Sequence, residues 1–594
     1  MQRRLARLQA YSFVEKKEQD VMQIRKLVSA RWLAAAFAVL ALTLAACSGD
    51  KDSTDTGSAI TPDSPDKQVL RLRLQSEPKT IDPHLSNQAA ETTINRQLFA
   101  GLFTYNEKLD VVPNLAKELP TVANGGISQD GTTYTVKIKE GAKWSDGKAV
   151  TAQDFVYSMQ RAMDPKTASP YASFFYGITG AGAYNSALGK PDAPKNPSAE
   201  ELAALRAGLG VSTKDESTVV YRLTQPNPSF LNLLALWTAF PVRQDVVEKN
   251  GASWTEAETH IGNGPFKLSE WRHDQMMVLT PNPYWVGEKP QLQRIEIYFI
   301  ADDFAAYQAY QADELDVVTV PPAAIKEVST KGHPYNDQLT VEANLATFAL
   351  FMNNKVAPFD NELVRKAFGT AIDRQAYVEG LLQGGGVPAT SWIPPGMPGY
   401  NEKLGSQYKY DAAKAKDLLK QAGYANGEGL PKVTFIAVNS DTNKLVGQFI
   451  QQQLKQNLGV DVDFNYVEGR EYGRVFTQNL HQVTIQRWSA DWPYPDNWLP
   501  DLFTSGALNN HAAYSNPKFD DLMVKAAAET ENSKRLALYD QAQTLMIDEA
   551  GIVPLYNPVT HVLVKPWVQN LKITGLDGYI KGDLYFDKAF IAGK

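Results

Sequence analysis

Cys47 is the only cysteine in a chain of 594 residues. A disulfide framework and any cysteine-built metal cluster are excluded, and a thiol redox role has no second sulfur to work with. Without covalent staples, a chain of this length must be held by buried apolar surface. It is too long for one core, so two or three lobes are expected. The 24 Phe, 26 Tyr and 11 Trp are enough both to fill cores and to line sites.

The place of that cysteine gives it a purpose. Arg25, Lys26 and Arg31 lead into an apolar run, Trp32 to Ala46, with no acidic residue. The run falls short of the roughly 20 residues of a membrane-spanning helix plus its flanks. It ends Leu44-Ala45-Ala46-Cys47, so residues 1–46 read as a signal peptide and the junction looks like a lipobox. In bacterial lipoproteins of that pattern the cysteine sulfur takes a diacylglyceryl group and becomes the mature N-terminus. Glu15, Glu18 and Asp20 suit no signal peptide, which puts the expected translation start at Met22. Removing residues 1–46 leaves 51 basic against 63 acidic residues, a net charge of −12, the wrong sign for a nucleic-acid partner. Residues 48–67 are rich in Ser, Asp, Thr, Gly and Pro, so 47–67 is expected to be the lipidated cysteine and a disordered tether of about 25 Å mean span.

The body carries both periodicities. Leu70, Leu72 and Leu74, and again Tyr134, Val136 and Ile138, alternate with polar residues as half-buried strands do. Helical spacing predicts one helix from Asn361 to Leu382 behind Asp360, with a stripe of Leu363, Ala367, Phe368, Ala371, Ile372 and Val378. A second helix is expected over 412–422, capped by Asp411 and stopped by Gly423, and a third over 445–458, stopped by Gly459 before a strand at 460–464. Helix and strand in alternation indicate α/β.

Signals of catalysis are missing. The seven histidines are scattered singly, and no Gly-x-Ser-x-Gly elbow, phosphate loop or dinucleotide fingerprint occurs. One segment stands out: Arg487 to Trp498, reading RWSADWPYPDNW, sets carboxylates among four large aromatic residues and two prolines. A carboxylate poorly solvated in such a setting either keeps a proton or finds a cation. From these residues alone Asp491 either receives an ammonium group or caps a turn and pairs with Arg487, the aromatics then being core.

Longer stretches resemble a known family, the extracellular solute-binding proteins of family 5, which serve peptides, dipeptides, nickel and related ligands. The likeness runs from Ile81-Asp82-Pro83-His84 through Arg96 to Leu102. It is strongest over 142–158, AKWSDGKAVTAQDFVYS, and Asp164 to Ser173 is similar to the oligopeptide-binding branch. Asn353-Asn354, Pro358-Phe359-Asp360, Ala490-Asp491, Ile552 to Tyr556 and Leu563 to Trp567 follow in order, so the resemblance covers about 68–594. It implies a two-lobed periplasmic-binding-protein (Venus flytrap) fold, cluster C type, with an extra small domain. The first lobe would comprise 68–99, 240–347 and 559–594, the small domain 100–239 and the other lobe 348–558.

The resemblance also implies a function: a monomeric, lipid-anchored receptor in the cell envelope, on the periplasmic or extracytoplasmic face. It captures peptides and delivers them to an ABC permease complex in the inner membrane, with no cofactor, no metal and no catalysis. Asp491, matched residue for residue in Trp488-Ser489-Ala490-Asp491, would bind the ligand's α-ammonium. Trp488 and Ser489 would flank it, Asn87 and Ala89 would lie along the peptide backbone, and Tyr171 would reach in from the small domain. Where the oligopeptide branch offers basic or histidine side chains to the ligand carboxylate, this chain has Asn443, Phe476 and Ile485, which leaves the carboxylate's partner open. The rivals are another cargo on the same scaffold (dipeptide, murein peptide, nickel chelate, haem, opine or sugar), a receptor that signals or chaperones without transport, and a lipoprotein hydrolase using Asp491 and Asp496. If translation starts at Met22, mass spectrometry of precursor accumulated under signal-peptidase blockade will contain no peptide from residues 1–21; finding one overturns that start.

Overall fold

Alternation at the head of the body becomes the strand Val69–Leu74, in which Leu70, Leu72 and Leu74 are fully buried. Between them Arg71 and Arg73 meet carboxylates, Arg71 Nη2 donating to Asp316 Oδ1 at 2.7 Å and Arg73 Nη2 to Asp303 Oδ1 at 2.8 Å. The strand pairs in parallel with Arg294–Phe299, and the sheet continues antiparallel through Met276–Pro281 to Phe266–Arg272. These coordinates are a computed structural model that describes residues 60–188, 197–389, 391–507, 509–529 and 531–594. The signal peptide, Cys47 and most of the tether lie outside the described residues. The tether's expected end is not free: the Asp63 carboxylate accepts from the backbone N–H of Gly593 and Lys594, and Pro65–Lys67 forms a 3₁₀ turn beside the C-terminus.

A second, mixed sheet of eight strands is organised by the long strand Val553–Val564. Its later half pairs with Leu339–Ala343 and Val317–Thr319, and its earlier half with Ala346–Met352 and Gly386–Pro388. From Ala346–Met352 the sheet runs on through Val483–Ser489 and Val433–Val438 to Val462–Val467. The two ends of that strand therefore belong to two different bodies of packed side chains. One large apolar cluster centres on the first sheet and residues around Trp144, Phe155 and Phe266; another fills the space around Leu350, Phe368, Trp392 and Trp498; a small third cluster, with Tyr310 and Val328, packs on Leu563. The fold is α/β and two-lobed, with a smaller domain built around the three-stranded sheet Thr133–Lys137, Thr218–Arg222 and Val211–Asp215.

The segment 142–158 acts on architecture. Thr151 and Asp154 form a reciprocal capping box at the start of the helix Ala152–Met163, and buried Trp144 donates its indole N–H to the same Asp154 carboxylate. That helix carries Arg161, whose two Nη atoms grip Asp82 at 3.0 and 2.5 Å while Nη1 also donates to His84 Nδ1 at 2.8 Å. Burial and the neighbouring guanidinium hold His84 down to about 4. It is therefore neutral, Nε2 donating to the Phe240 carbonyl.

Two of the helices expected over 361–458 differ from their predicted limits. The single helix over 361–382 is two pieces. Glu362–Ala371 is capped by Asn361 rather than Asp360, Ile372 adopts extended backbone, and Asp373 caps a fresh start that passes into a π-helical turn, Tyr377–Leu381. The break lets the buried Arg374 guanidinium donate to the carbonyls of Gly369, Tyr408 and Pro554, partners a continuous helix would not place around it. Asp411 caps Ala412–Gln421 as the sequence indicates. The third helix starts earlier, at Asp441 under a Ser440 cap, and ends at left-handed Gly459; the following strand is Val462–Val467.

One close approach seats the helix Ala89–Leu98 on the first sheet. A Cβ at Gly264 would lie 2.5 Å from the Gln97 carbonyl oxygen, so only glycine fits there. Gly264→Ala should lower stability by about 1–3 kcal/mol through overpacking, read as a fall in the urea midpoint. Gly473→Ala, in a helix with open space around it, should raise stability by about 0.5–1 kcal/mol.

Candidate functional site

The strand Val483–Ser489 lies against Ala346–Met352 with Ser489 opposite Ala346, Arg487 opposite Phe348 and Ile485 opposite Leu350. Strand periodicity of two then sorts its side chains. Arg487 and Ser489 are exposed, whereas Trp488 turns inward and packs against the second cluster. Past Ser489 the chain bends, and buried Asn497 holds the bend: its Oδ1 accepts from the Asp491 backbone N–H at 2.9 Å and from Trp488 Nε1 at 3.4 Å. Trp492 donates to Asp496 at 2.7 Å, so that carboxylate is spent inside the loop.

Asp491 has no such settled partner. Its Oδ1 accepts from the Tyr171 hydroxyl at 3.3 Å and its Oδ2 from Asn497 Nδ2 at 3.4 Å. Both bonds are long and both donors neutral. Burial pushes the Asp491 carboxyl above the ordinary carboxylate range, and the two donors offset this only partly. The expected alternative of an Asp491–Arg487 pair does not occur: among the described residues Asp491 makes no salt bridge, and the Arg487 guanidinium lies over the Phe348 ring at 5.9 Å. Tyr171 is fixed edge-on between Phe174 and Trp237, with ring centroids at 5.1 and 5.0 Å, and Phe174 meets Trp492 at 5.4 Å. The aromatics thus join the small domain to the loop that carries Asp491.

The opposite wall comes from residues 86–98. Glu91 accepts from the backbone N–H of Asn87 and Gln88, which caps the helix Ala89–Leu98 and leaves Asn87 and Ala89 exposed at its start. A cavity of about 310 Å³ is lined by Asn87, Ala89, Tyr171, Ser489 and Asp491 together. Trp488, the remaining expected residue, does not line it; its indole faces the other way to brace Asn497. The structure adds residues to the expected set: Arg96, Trp237, Asn344, Asp577 and Lys581 share the same lining, as does Arg487, which the sequence offered only as a partner of Asp491. Arg96 pairs with buried Asp583 at 3.1 Å. Lys581 Nζ donates to Asn344 Oδ1 at 3.3 Å, and burial depresses its basicity. Burial and the nearby Asp583 carboxylate push the Asp577 carboxyl upward. Those near the C-terminus carried no recognisable signal, since only folding brings 575–581 beside 87–96.

Asn443 and Ile485 line a neighbouring cavity of about 300 Å³, with Phe348, Tyr377, Val446 and Tyr556 among its walls. Phe476 stands apart from it in an aromatic packet with Phe351, Tyr472 and His511. Among the described residues no cluster of His, Cys, Asp and Glu could hold a metal ion, and no helix is long and apolar enough to cross a membrane.

The raised pKa of Asp491 has a sign for stability. The native state holds that proton more tightly than the unfolded chain, so the contribution to stability is greatest at low pH and is lost as pH rises through the raised value. Asp491→Asn should therefore raise the melting temperature of the ligand-free protein at neutral pH, and the gain should vanish once acid protonates Asp491. Calorimetric scans of both forms across pH check this.

Residues 110–510 match the model of the bacterial extracellular solute-binding proteins, family 5 middle region. The oligopeptide-binding protein OppA of Bacillus subtilis is 30% identical over 93% of this chain and 97% of its own length. The periplasmic murein peptide-binding protein MppA of Escherichia coli is 32% identical over 86% and 91%. In three dimensions the chain superposes on the unliganded open form of MppA with a TM-score of 0.76 and 29% identity, covering 90% of this chain and 99% of the other. These relatives are binding proteins rather than enzymes, and the chain belongs to family 5 of the bacterial extracellular solute-binding proteins.

Proposed function

We propose that this protein is a lipid-anchored peptide receptor of an ABC importer, which closes on an extended peptide and hands it to the membrane permease. The observation that carries the reading is the Asp491 carboxylate: poorly solvated, without a cation, and aimed into a cavity whose walls come from sequence-distant segments. An α-ammonium group is the complement such a carboxylate lacks. Asn87, Ala89 and Ser489 along the cavity offer main-chain and small polar groups to an extended ligand, a mode in which backbone hydrogen bonds supply affinity without dictating sequence. Tyr171 would close the amine end from the small domain, and Trp488 serves through Asn497. The relatives named for oligopeptides and murein peptides support a peptide cargo.

Closure would take place about the crossing near 344–346 and 558, between a lobe of 68–99, 240–347 and 559–594 and a lobe of 348–558, with 100–239 riding on the first. The anchor would be the acylated Cys47, its chains adding roughly 0.8 kcal/mol per buried CH₂, and the receptor would act as a monomer beside an inner-membrane permease.

Two measurements test the reading. Thermal shift on residues 48–594, refolded to strip carried ligand, should show stabilisation by free di- to pentapeptides and none by their N-acetylated forms. Asp491→Asn should weaken binding of free-amine peptides by about 2–5 kcal/mol, the penalty for stripping one partner from a desolvated charge pair. Unchanged calorimetric affinity overturns the role of Asp491, and silence towards every peptide overturns the cargo.

A further inference from the structure

The cleft-facing residues of the strand Val483–Ser489 and of the bend that follows it form a row with a sharp change of chemistry. Ser489 and Asp491 lie in the first cavity, Ile485 lies in the second, and Arg487 stands at the border, lining the first cavity while its guanidinium covers the Phe348 ring of the second. Phe348 is itself stacked on Tyr556 at 4.5 Å, so Arg487 rests on a two-ring platform that orients a planar guanidinium without using any of its N–H donors.

Of the three cations that line the first cavity, Arg487 alone is exposed. Arg96 is engaged by Asp583, and Lys581 is buried against Asn344 and the Asp577 carbonyl. Arg487 is exposed, and among the described residues its side chain makes no hydrogen bond and no ion pair. The second cavity offers an anion no charge: none of its fourteen lining residues is ionised, and a carboxylate there would meet only neutral donors such as Thr442 and Asn443.

We propose that Arg487 receives the α-carboxylate of the ligand, and that the preferred cargo is therefore a peptide of two or three residues held between Asp491 and Arg487. The proposal rests on the peptide-receptor reading above and adds the carboxylate partner and the length. Three residues lie between Arg487 and Asp491, so the two are four backbone steps apart, at most about 13 Å even if fully extended, and an extended ligand advances about 3.3 Å per residue. A tripeptide with its two charged ends fills that interval; a fourth residue would carry its carboxylate past Arg487 into the uncharged cavity. A guanidinium with five free donors meets such a carboxylate bidentately.

Titration calorimetry on the refolded protein with trialanine, its C-terminal amide, its N-acetyl form and pentaalanine separates the claims. For the wild type, amidation should weaken binding at least tenfold and pentaalanine should bind more weakly than trialanine. In Arg487→Gln, whose exposed side chain spares the fold, free acid and amide should bind alike, while the N-acetylation penalty persists. If amidation costs the wild type nothing, or pentaalanine binds more tightly, while N-acetylation still abolishes binding, the Arg487 assignment is overturned and the receptor reading stands. If N-acetylation costs nothing, or no peptide binds, the receptor reading falls and takes this inference with it.

Discussion

The strand Val553–Val564 is the constraint on which the rest of the molecule depends. It runs as one strand, yet its two halves pair with different strands and its side chains enter different cores, Val553 and Leu555 one, Val562 and Leu563 the others. A second crossing, from Leu339–Ala343 into Ala346–Met352, runs beside it. The two large apolar clusters lie on either side of these paired strands, and Val111, Ala235 and Tyr494 pack against both. The cavity that contains Asp491 lies across this junction: Asn344, Pro558 and Gly575 line it together with Asn87 and Tyr171.

Two carboxylates show how environment assigns a role. Asp82 is almost fully buried, which alone would favour its protonated form, but the bidentate Arg161 guanidinium, Trp254 and the His84 backbone N–H hold it ionised below its usual range. It is a structural acid, closed to any ligand. Asp491 sits among Tyr171, Trp492 and Asn497 with two long bonds from neutral donors, and its carboxyl is pushed the other way. A group left short of partners costs stability in the free protein and gains most when a cation arrives, the usual exchange at a binding site.

The row Asp491, Ser489, Arg487, Ile485 extends that logic along one strand edge. Charge of one sign, a small polar group, charge of the other sign and then an apolar wall follow in order, the last three spaced by the alternation of the strand and Asp491 placed by the bend that Asn497 holds. The aromatic stack of Phe348 and Tyr556 beneath Arg487 keeps the guanidinium from collapsing onto Asp491, which would cancel both charges before a ligand came.

Much of this was legible in the residues. Alternation at Leu70 to Leu74, the cap at Asp411 and the glycine stop at Gly459 are local, and local energetics decided them. Membership of the family and the grouping of Asn87, Ala89, Tyr171, Ser489 and Asp491 followed from ordered motifs spread along the chain. The break at Ile372 was not legible, because helical spacing continues across it and only the carbonyls converging on Arg374 reward the interruption. Nor was the fate of Arg487: adjacent in sequence to an aspartate motif, it invited a local pair, and the stacking of Phe348 on Tyr556, 208 positions apart, drew it elsewhere. Sequence by itself determined most of the elements and the family, and it singled out Asp491, since each rests on local patterns along the chain. Which charges stay unpaired was decided only in the tertiary structure, where distant segments either supply a partner or withhold it.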